Sequence, residues 1–227
     1  MTASARIDSP VPSSMRLVLT LAIAGLVSGV AIIGIYEATL PTITANKARE
    51  LREAVFKVLP GVSQMQPLVF RDGELVVELA PEADESAIYG GYDSDGQFVG
   101  YAIPGAGPGF QDTIGLLYGF DPLQRKVRGM EILESRETPG LGDKIYKDMD
   151  FVGDFKALSV DPTIVAVKKG SKSRPNEVDA ITGATISSKA VVLIINETHA
   201  LWSEKLLAPG TEPPLQPTGT PSNGTRQ

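Results

Sequence analysis

Between Leu17 and Tyr36 the chain reads LVLTLAIAGLVSGVAIIGIY, twenty residues without a charge. At about 1.5 Å of rise per residue a helix of that length spans roughly 30 Å of hydrocarbon, so residues 17–36 are expected to cross a membrane once. A cleaved signal peptide is the competing reading. The run exceeds the ~7 to 15 apolar residues of a signal core, and the YEATLP that follows is a poor small-residue cleavage site, which favours a retained helix. Charge does not orient it: Arg6 and Arg16 precede the run, and Lys47 and Arg49 follow within ~15 residues, nearly a tie on the positive-inside rule. Gly25 and Gly29 form a GxxxG face that would let another helix approach closely in lipid, although glycine is common in such helices anyway.

The remainder of the 227 residues is long enough for one domain of ordinary size. A formal net charge of −6 argues against a nucleic-acid binder, which needs a basic stripe. The chain has no cysteine, so disulfides, thiolate metal sites, iron–sulfur ligation and thiol catalysis are excluded together. Its one histidine, His199, falls in the last apolar run without the partners that a triad or metal site requires.

After Pro41, the segment TITANKARELREAVFKVLPG repeats Ala48, Leu51, Val55 and Val58 at helical steps and is stopped by Pro60 and Gly61. LVFRDGELVVEL and AIYGGYDSDGQFVGYAI are each two apolar runs hinged on Asp-Gly, a strong hairpin signal. TIGLLYGF and KVRGMEIL, joined by DPLQR, make a third pair, and an antiparallel meander is the simple outcome. A helix-like stretch over 143–156 and the apolar run TIVAVKK follow. A last helix is expected over 187–207, where Ala190, Leu193, Ile194, Thr198, Leu201 and Trp202 share a face behind serines suited to a cap. Helices and hairpins together predict an α+β domain over 42–207. The final segment, 208–227, holds five prolines and no apolar pattern, so it is expected to be disordered.

Within DAITGATISSKAV, Thr182, Gly183, Ala184 and Thr185 form an uncrowded turn at a helix start, where free backbone N–H groups and the helix dipole favour an anion. The plainer alternative is a cap, with Thr185 or Ser187 satisfying the helix's open donors and nothing bound. Upstream, ETPGLG reads as a loop built by Pro139, Gly140 and Gly142. PGAGPGF, 104–110, superficially suggests a phosphate loop, but it lacks the Lys-Ser/Thr ending and Pro108 removes an N–H, so a nucleoside triphosphate site is rejected. Lys168 or Lys169 would reach a phosphate at the turn, unless the pair is simply a solvated strand edge.

Asp-x-x-Thr-Gly-Ala-Thr, Asp179 to Thr185, resembles the flavinylation sequence of the FMN-binding domain family. SRETPGLGDKI, 135–145, looks like that family's second landmark, and GQFVGYAIPGAGPGFQDTIGLLYGFDP is similar to the strands that precede it. The resemblance runs from about Lys47 to about Leu207 and extends to the single anchor ahead of the domain. It departs from the usual wording in opening TGAT with threonine rather than serine and in the Pro-rich tail.

The family includes the G subunit of the Rnf electron-transport complex and the C subunit of the sodium-pumping NADH:quinone oxidoreductase. The wording around ETPGLGDKI is nearer the former. The resemblance implies FMN joined through its phosphate to the Thr185 hydroxyl by a separate flavin transferase that uses FAD, with Asp179 assisting recognition or the transferase's metal ion. Asp179 otherwise accepts local backbone N–H groups. The resemblance further implies Thr182, Gly183, Ala184 and Ser187 around the phosphate, Thr138, Leu141 and Gly142 at the ring, and Glu137 supporting the loop. It implies a redox subunit without its own catalytic site, in a membrane complex coupling ferredoxin and NAD oxidoreduction to ion movement. The anchor would sit in the cell membrane among partner subunits and lipid, with residues 1–16 cytoplasmic and the FMN domain on the outer, periplasmic side. A membrane-anchored binding or assembly domain without flavin, or a flavoenzyme acting alone, are the readings from other classes.

Overall fold

The computed structural model describes residues 14–79 and 86–216. They fall into two units divided between Arg49 and Glu50. Helix α1, Ser14–Val58, begins in the first unit and ends in the second. Among the described residues it is the one helix long and apolar enough to cross a membrane, and its apolar side chains from Leu17 to Tyr36 are exposed. The sequence suggested two helices separated at Pro41, whereas α1 runs straight through that proline. A proline withholds one backbone hydrogen bond, while a break would open several, so continuity is the cheaper outcome. Residues 1–13, most of the expected cytoplasmic terminus, lie outside the described residues.

The second unit is built on a seven-stranded antiparallel sheet in the order β2-β1-β3-β4-β5-β6-β7. Its strands are β1 Gln64–Arg71, β2 Glu74–Val77, β3 Ala87–Tyr92, β4 Phe98–Pro108, β5 Thr113–Asp121, β6 Lys126–Glu134 and the short β7 Leu158–Ser159. The expected meander runs from β3 to β6, whereas β1 lies between β2 and β3, and β7 joins β6 only after a long connection. Asp72 and Gly73 both take positive φ, 53° and 90°, the two-residue turn whose twist matches its flanking strands. At the other Asp-Gly the loop is longer: the Asp93 carboxylate accepts the N–H groups of Asp95 and Gln97, so aspartate chemistry rather than a tight turn closes it.

Period-two alternation sends each strand's side chains to two different cores. On one face Ala102 and Leu117 meet Ala54, Val55 and Val58 from the end of α1, and Leu59 just beyond it. Leu51 is partly buried there, while Ala48, expected on the same stripe, is exposed. On the other face Ile103, Ile114, Leu116, Tyr118 and Val127 pack with Val191, Ile194 and Ile195 of helix α4, Thr185–Ser203.

Two features were not anticipated. The stretch 143–156 is divided into α2 Lys144–Lys147, α3 Met149–Gly153 and a 3-10 turn from Asp154, and TIVAVKK supplies β8, Val165–Lys168, which pairs in parallel with β9, Glu177–Ala180. This ladder delivers the chain to the TGAT turn. The second feature is at the carboxyl end. Residues 208–216, expected to be disordered, carry carbonyls that receive hydrogen bonds from the buried Tyr92 hydroxyl (to Pro213, 2.6 Å) and Gln66 amide (to Pro214, 3.1 Å), and Gln216 N–H donates to Gln66 Oε1 at 2.9 Å. Prolines lose little entropy on ordering, so a few such bonds hold the strap. Residues 217–227 of the same segment lie outside the described residues.

Candidate functional site

Helix α4 begins at Thr185, two residues before the expected start, and its cap position is Ala184, whose side chain makes no capping hydrogen bond. The plain cap reading thus has no residue to carry it, and the first N–H groups of α4 remain aimed at the turn. Gly183 has φ 85°, the left-handed region, which reverses the chain into the helix.

The segment holds four hydroxyls, and the structure separates them. Ser188 is fully buried; its Oγ accepts from Ile181 N (3.1 Å) and donates to Ala184 O (2.9 Å), closing the turn from inside. Ser187 is also buried and donates to Glu137 Oε2 at 2.5 Å. Thr182 and Thr185 are exposed. Thr185 Oγ1 makes only a long contact with Ile181 O, 3.5 Å, and it alone of these two lines the adjoining cleft. A side-chain oxygen that is accessible, weakly engaged and beside open helix donors is the one placed to react or to bind.

That cleft is about 340 Å3, near the small end of the ~300 to 1,000 Å3 typical of ligand sites. The 137–142 loop brings Thr138, Leu141 and Gly142 to it, opposite Gly183, Ala184, Thr185 and Ser187. Leu141 stands over Gly183, its Cδ2 3.8 Å from where a Cβ would be. Two lining residues escaped the sequence reading, Phe110 and Ile186. They are 63% and 57% exposed, and with Leu141 at 50% they give the cleft an apolar rim. Phe110 belongs to PGAGPGF, which the sequence offers as a rejected phosphate loop and as part of the strands resembling the family; its aromatic end was the usable signal for the cleft. A planar apolar group against the rim, with an anionic end at the helix start, fits these residues.

Glu137 lies underneath rather than at the cleft, where it also accepts Gln111 N–H at 2.9 Å. Thr138 donates to Gln111 Oε1 at 2.9 Å, so the 109–112 turn and the 137–142 loop are tied twice. Asp179 and Lys168 are not brought to the cleft. The Asp179 carboxylate accepts Lys172 N–H (3.2 Å), its backbone N–H donates to Asp154 Oδ2 (2.8 Å), and it faces a second, more acidic hollow with Asp148 and Asp150. Lys168 is exposed on β8, and Lys169 sits 3.8 Å from Asp148. His199 packs edge-on against Phe120, ring centroids 4.7 Å apart, away from the cleft. A larger cleft of about 570 Å3 lies at the opposite end of β4, beside the strap.

An antiparallel sheet packed with helices, with an uncapped helix start and an exposed, weakly engaged hydroxyl at an apolar cleft, has the form of a small-ligand domain suited to a planar group with an anionic tail. Residues 109–200 match the FMN-binding domain family. The chain is 32% identical over 181 residues to the G subunit of an ion-translocating oxidoreductase complex from Methanosarcina acetivorans, covering 78% of this chain and 88% of that protein. It is 33% identical to the G subunit of the Na(+)-translocating ferredoxin:NAD(+) oxidoreductase complex of Acetobacterium woodii, covering 62% and 68%. In fold it is similar to NqrC of Shewanella oneidensis, with a TM-score of 0.56 at 18% identity over 67% of this chain and 91% of that one. The chain therefore belongs to the FMN-binding domain family and resembles the G subunits within it.

Proposed function

We propose that this chain is an electron-carrying subunit of a membrane-bound ion-translocating ferredoxin:NAD oxidoreductase of the Rnf type, with FMN joined to Thr185 as a phosphoester. Its carrying observation is the separation of hydroxyls: Ser187 and Ser188 are buried and engaged, while Thr185 is exposed at the uncapped start of α4. Attachment has a simple balance. The Thr185 oxygen bonds to the FMN phosphorus of FAD, the bond to AMP breaks, and the hydroxyl proton leaves with AMP on a separate flavin transferase. Bound FMN supplies one- and two-electron chemistry.

The chain's own residues bind and orient. The open N–H groups of α4 hold the phosphate, Gly183 and Ala184 leave room for it, and Phe110, Leu141 and Ile186 exclude water from the ring. Thr182 and Asp179 serve recognition by the transferase on the outer surface. The apolar part of α1 anchors the domain in lipid beside partner subunits, with the domain on the outer side. Relatives at 30% identity or more that are named as G subunits favour this reading over the C subunit of a sodium-translocating quinone reductase.

The test is Thr185→Ala beside wild type and Thr185→Ser in a host carrying the transferase. Yellow colour and fluorescence that survive denaturation should be present in wild type and Thr185→Ser and lost in Thr185→Ala, with the fold retained. Covalent flavin persisting in Thr185→Ala would place the linkage elsewhere. An intact mass without the FMN increment in protein from native membranes would favour an assembly domain without flavin.

A further inference from the structure

Glu137 is 5% exposed and forms no ion pair among the described residues. Every contact its carboxylate makes is with a donor. Oε2 receives the Ser187 hydroxyl at 2.5 Å and Oε1 the Gln111 N–H at 2.9 Å, and the backbone N–H groups of Asp112 and Phe110 contribute as well. Two glycines make the space. A Cβ on Gly142 would stand 2.6 Å from Oε2, and one on Gly109 would collide with Oε1. The 109–112 turn, the 137–142 loop and the first turn of α4 thus converge on one carboxylate, and all three also line the cleft through Phe110, Leu141 and Thr185.

We propose that Glu137 is the positioning residue of the flavin site, a fixed negative charge that aligns the three cleft walls and holds the reduction potential of the bound flavin low. This rests on the reading that FMN is held at Thr185. The electrostatic direction follows from Coulomb's law: reduction adds electron density beside an anion that no cation neutralises, and partial burial weakens the screening. Burial alone would push the Glu137 carboxyl up, but the hydrogen bonds from Ser187 and the 110–112 backbone outweigh it and hold the group below its ordinary value. The charge is therefore present at neutral pH.

Glu137→Gln separates charge from shape. The amide oxygen can keep the Gln111 N–H, and its NH2 can donate to the Ser187 hydroxyl, which accepts as readily as it donates. Glu137→Ala removes both. The full chain is purified in detergent from a host without the transferase, then loaded with the transferase and FAD. Glu137→Gln should load within about twofold of wild type and show a flavin midpoint potential shifted upward; Glu137→Ala should load several-fold more slowly and melt at a lower temperature. An unchanged potential in fully loaded Glu137→Gln overturns the charge role, and wild-type loading and melting in Glu137→Ala overturns the positioning role. Wild type that fails to load at all is a failure of the FMN reading instead. The unloaded melting temperatures then decide, with Glu137→Ala below Glu137→Gln supporting the positioning role and equal values overturning it.

Discussion

The hydroxyl of Ser188 stands 3.1 Å from the backbone nitrogen of Ile181, seven residues back, and closes the TGAT turn from its buried side. The same oxygen donates to Ala184 O at 2.9 Å, so one side chain satisfies both ends of the turn. Ser188→Ala leaves the Ile181 N–H buried without a partner, at a cost of about 1 to 3 kcal/mol. For a domain of this size each kcal/mol lowers the melting temperature by about 2 to 4 °C. Thermal unfolding of the full chain should show that loss, and the proposed covalent loading at Thr185 should fall with it as the turn loosens. A variant with the wild-type melting temperature would mean that the turn is held by backbone alone.

At Gly183 the constraint is conformational. With φ at 85° and the nearest side-chain atom to a Cβ, Leu141 Cδ2, at 3.8 Å, there is room for a side chain but no relaxed backbone for one. Gly183→Val should therefore destabilise by about 1 to 2 kcal/mol, while Gly183→Asn, which tolerates the left-handed region, should cost clearly less. Denaturant midpoints of the two variants give the ordering. Equal losses would point to crowding rather than backbone strain.

Local chemistry was legible in the sequence where it acts over few residues. Asp72-Gly73 encodes its own turn, the strands alternate, and the TGAT segment announces a small-residue helix start. What escaped depends on residues far apart. Glu137 and Ser187 are fifty positions from each other, and nothing near either one names its partner. Asp179 reads as part of the turn motif, yet Asp154, 25 residues back, and Lys172 draw it to the acidic hollow. Phe110 and Ile186 read as ordinary apolar residues because exposure is a tertiary property. Pro41 failed as a boundary because its signal is statistical, while the helix on both sides of it is cooperative.

Acid should weaken the domain in a defined window. Glu177 is held low chiefly by the Ser173 N–H, against burial, with the Arg174 N–H and Ser173 hydroxyl adding to it; Glu137 is held low by its own donors against burial. A carboxyl whose folded value lies below its unfolded one stabilises the protein above the unfolded value, about 4.3 for glutamate, and loses that contribution as pH falls through the folded value. Denaturant midpoints should begin to fall below about pH 6.5, where the unfolded imidazole of His199 takes up a proton that burial disfavours in the fold. They should fall further below about pH 5 as the carboxylates protonate. In Glu177→Gln the decline should be shallower, starting from a lower neutral-pH stability. An acid limb identical to wild type would assign the loss to other carboxylates.

Removal of the strap tests whether residues 208–216 belong to the folded domain. Gln66 and Tyr92 are buried, 2% and 1% exposed, and three of their hydrogen bonds run to Pro213, Pro214 and Gln216. A chain ending at Leu207 uncovers the pair and should lose about 1 to 3 kcal/mol, since each net hydrogen bond is worth roughly 1 kcal/mol. If those bonds are the reason, the loss depends on the two side chains. Truncation in a Gln66→Leu, Tyr92→Phe background should cost less than truncation of wild type, because no polar group is left seeking a partner, and the difference between the two losses measures the coupling. The proposed loading at Thr185 should be unaffected, as Tyr92 and Phe98 lie at the end of the sheet opposite to Phe110 and the cleft. Equal losses in both backgrounds would mean that the strap is held by packing rather than by these bonds.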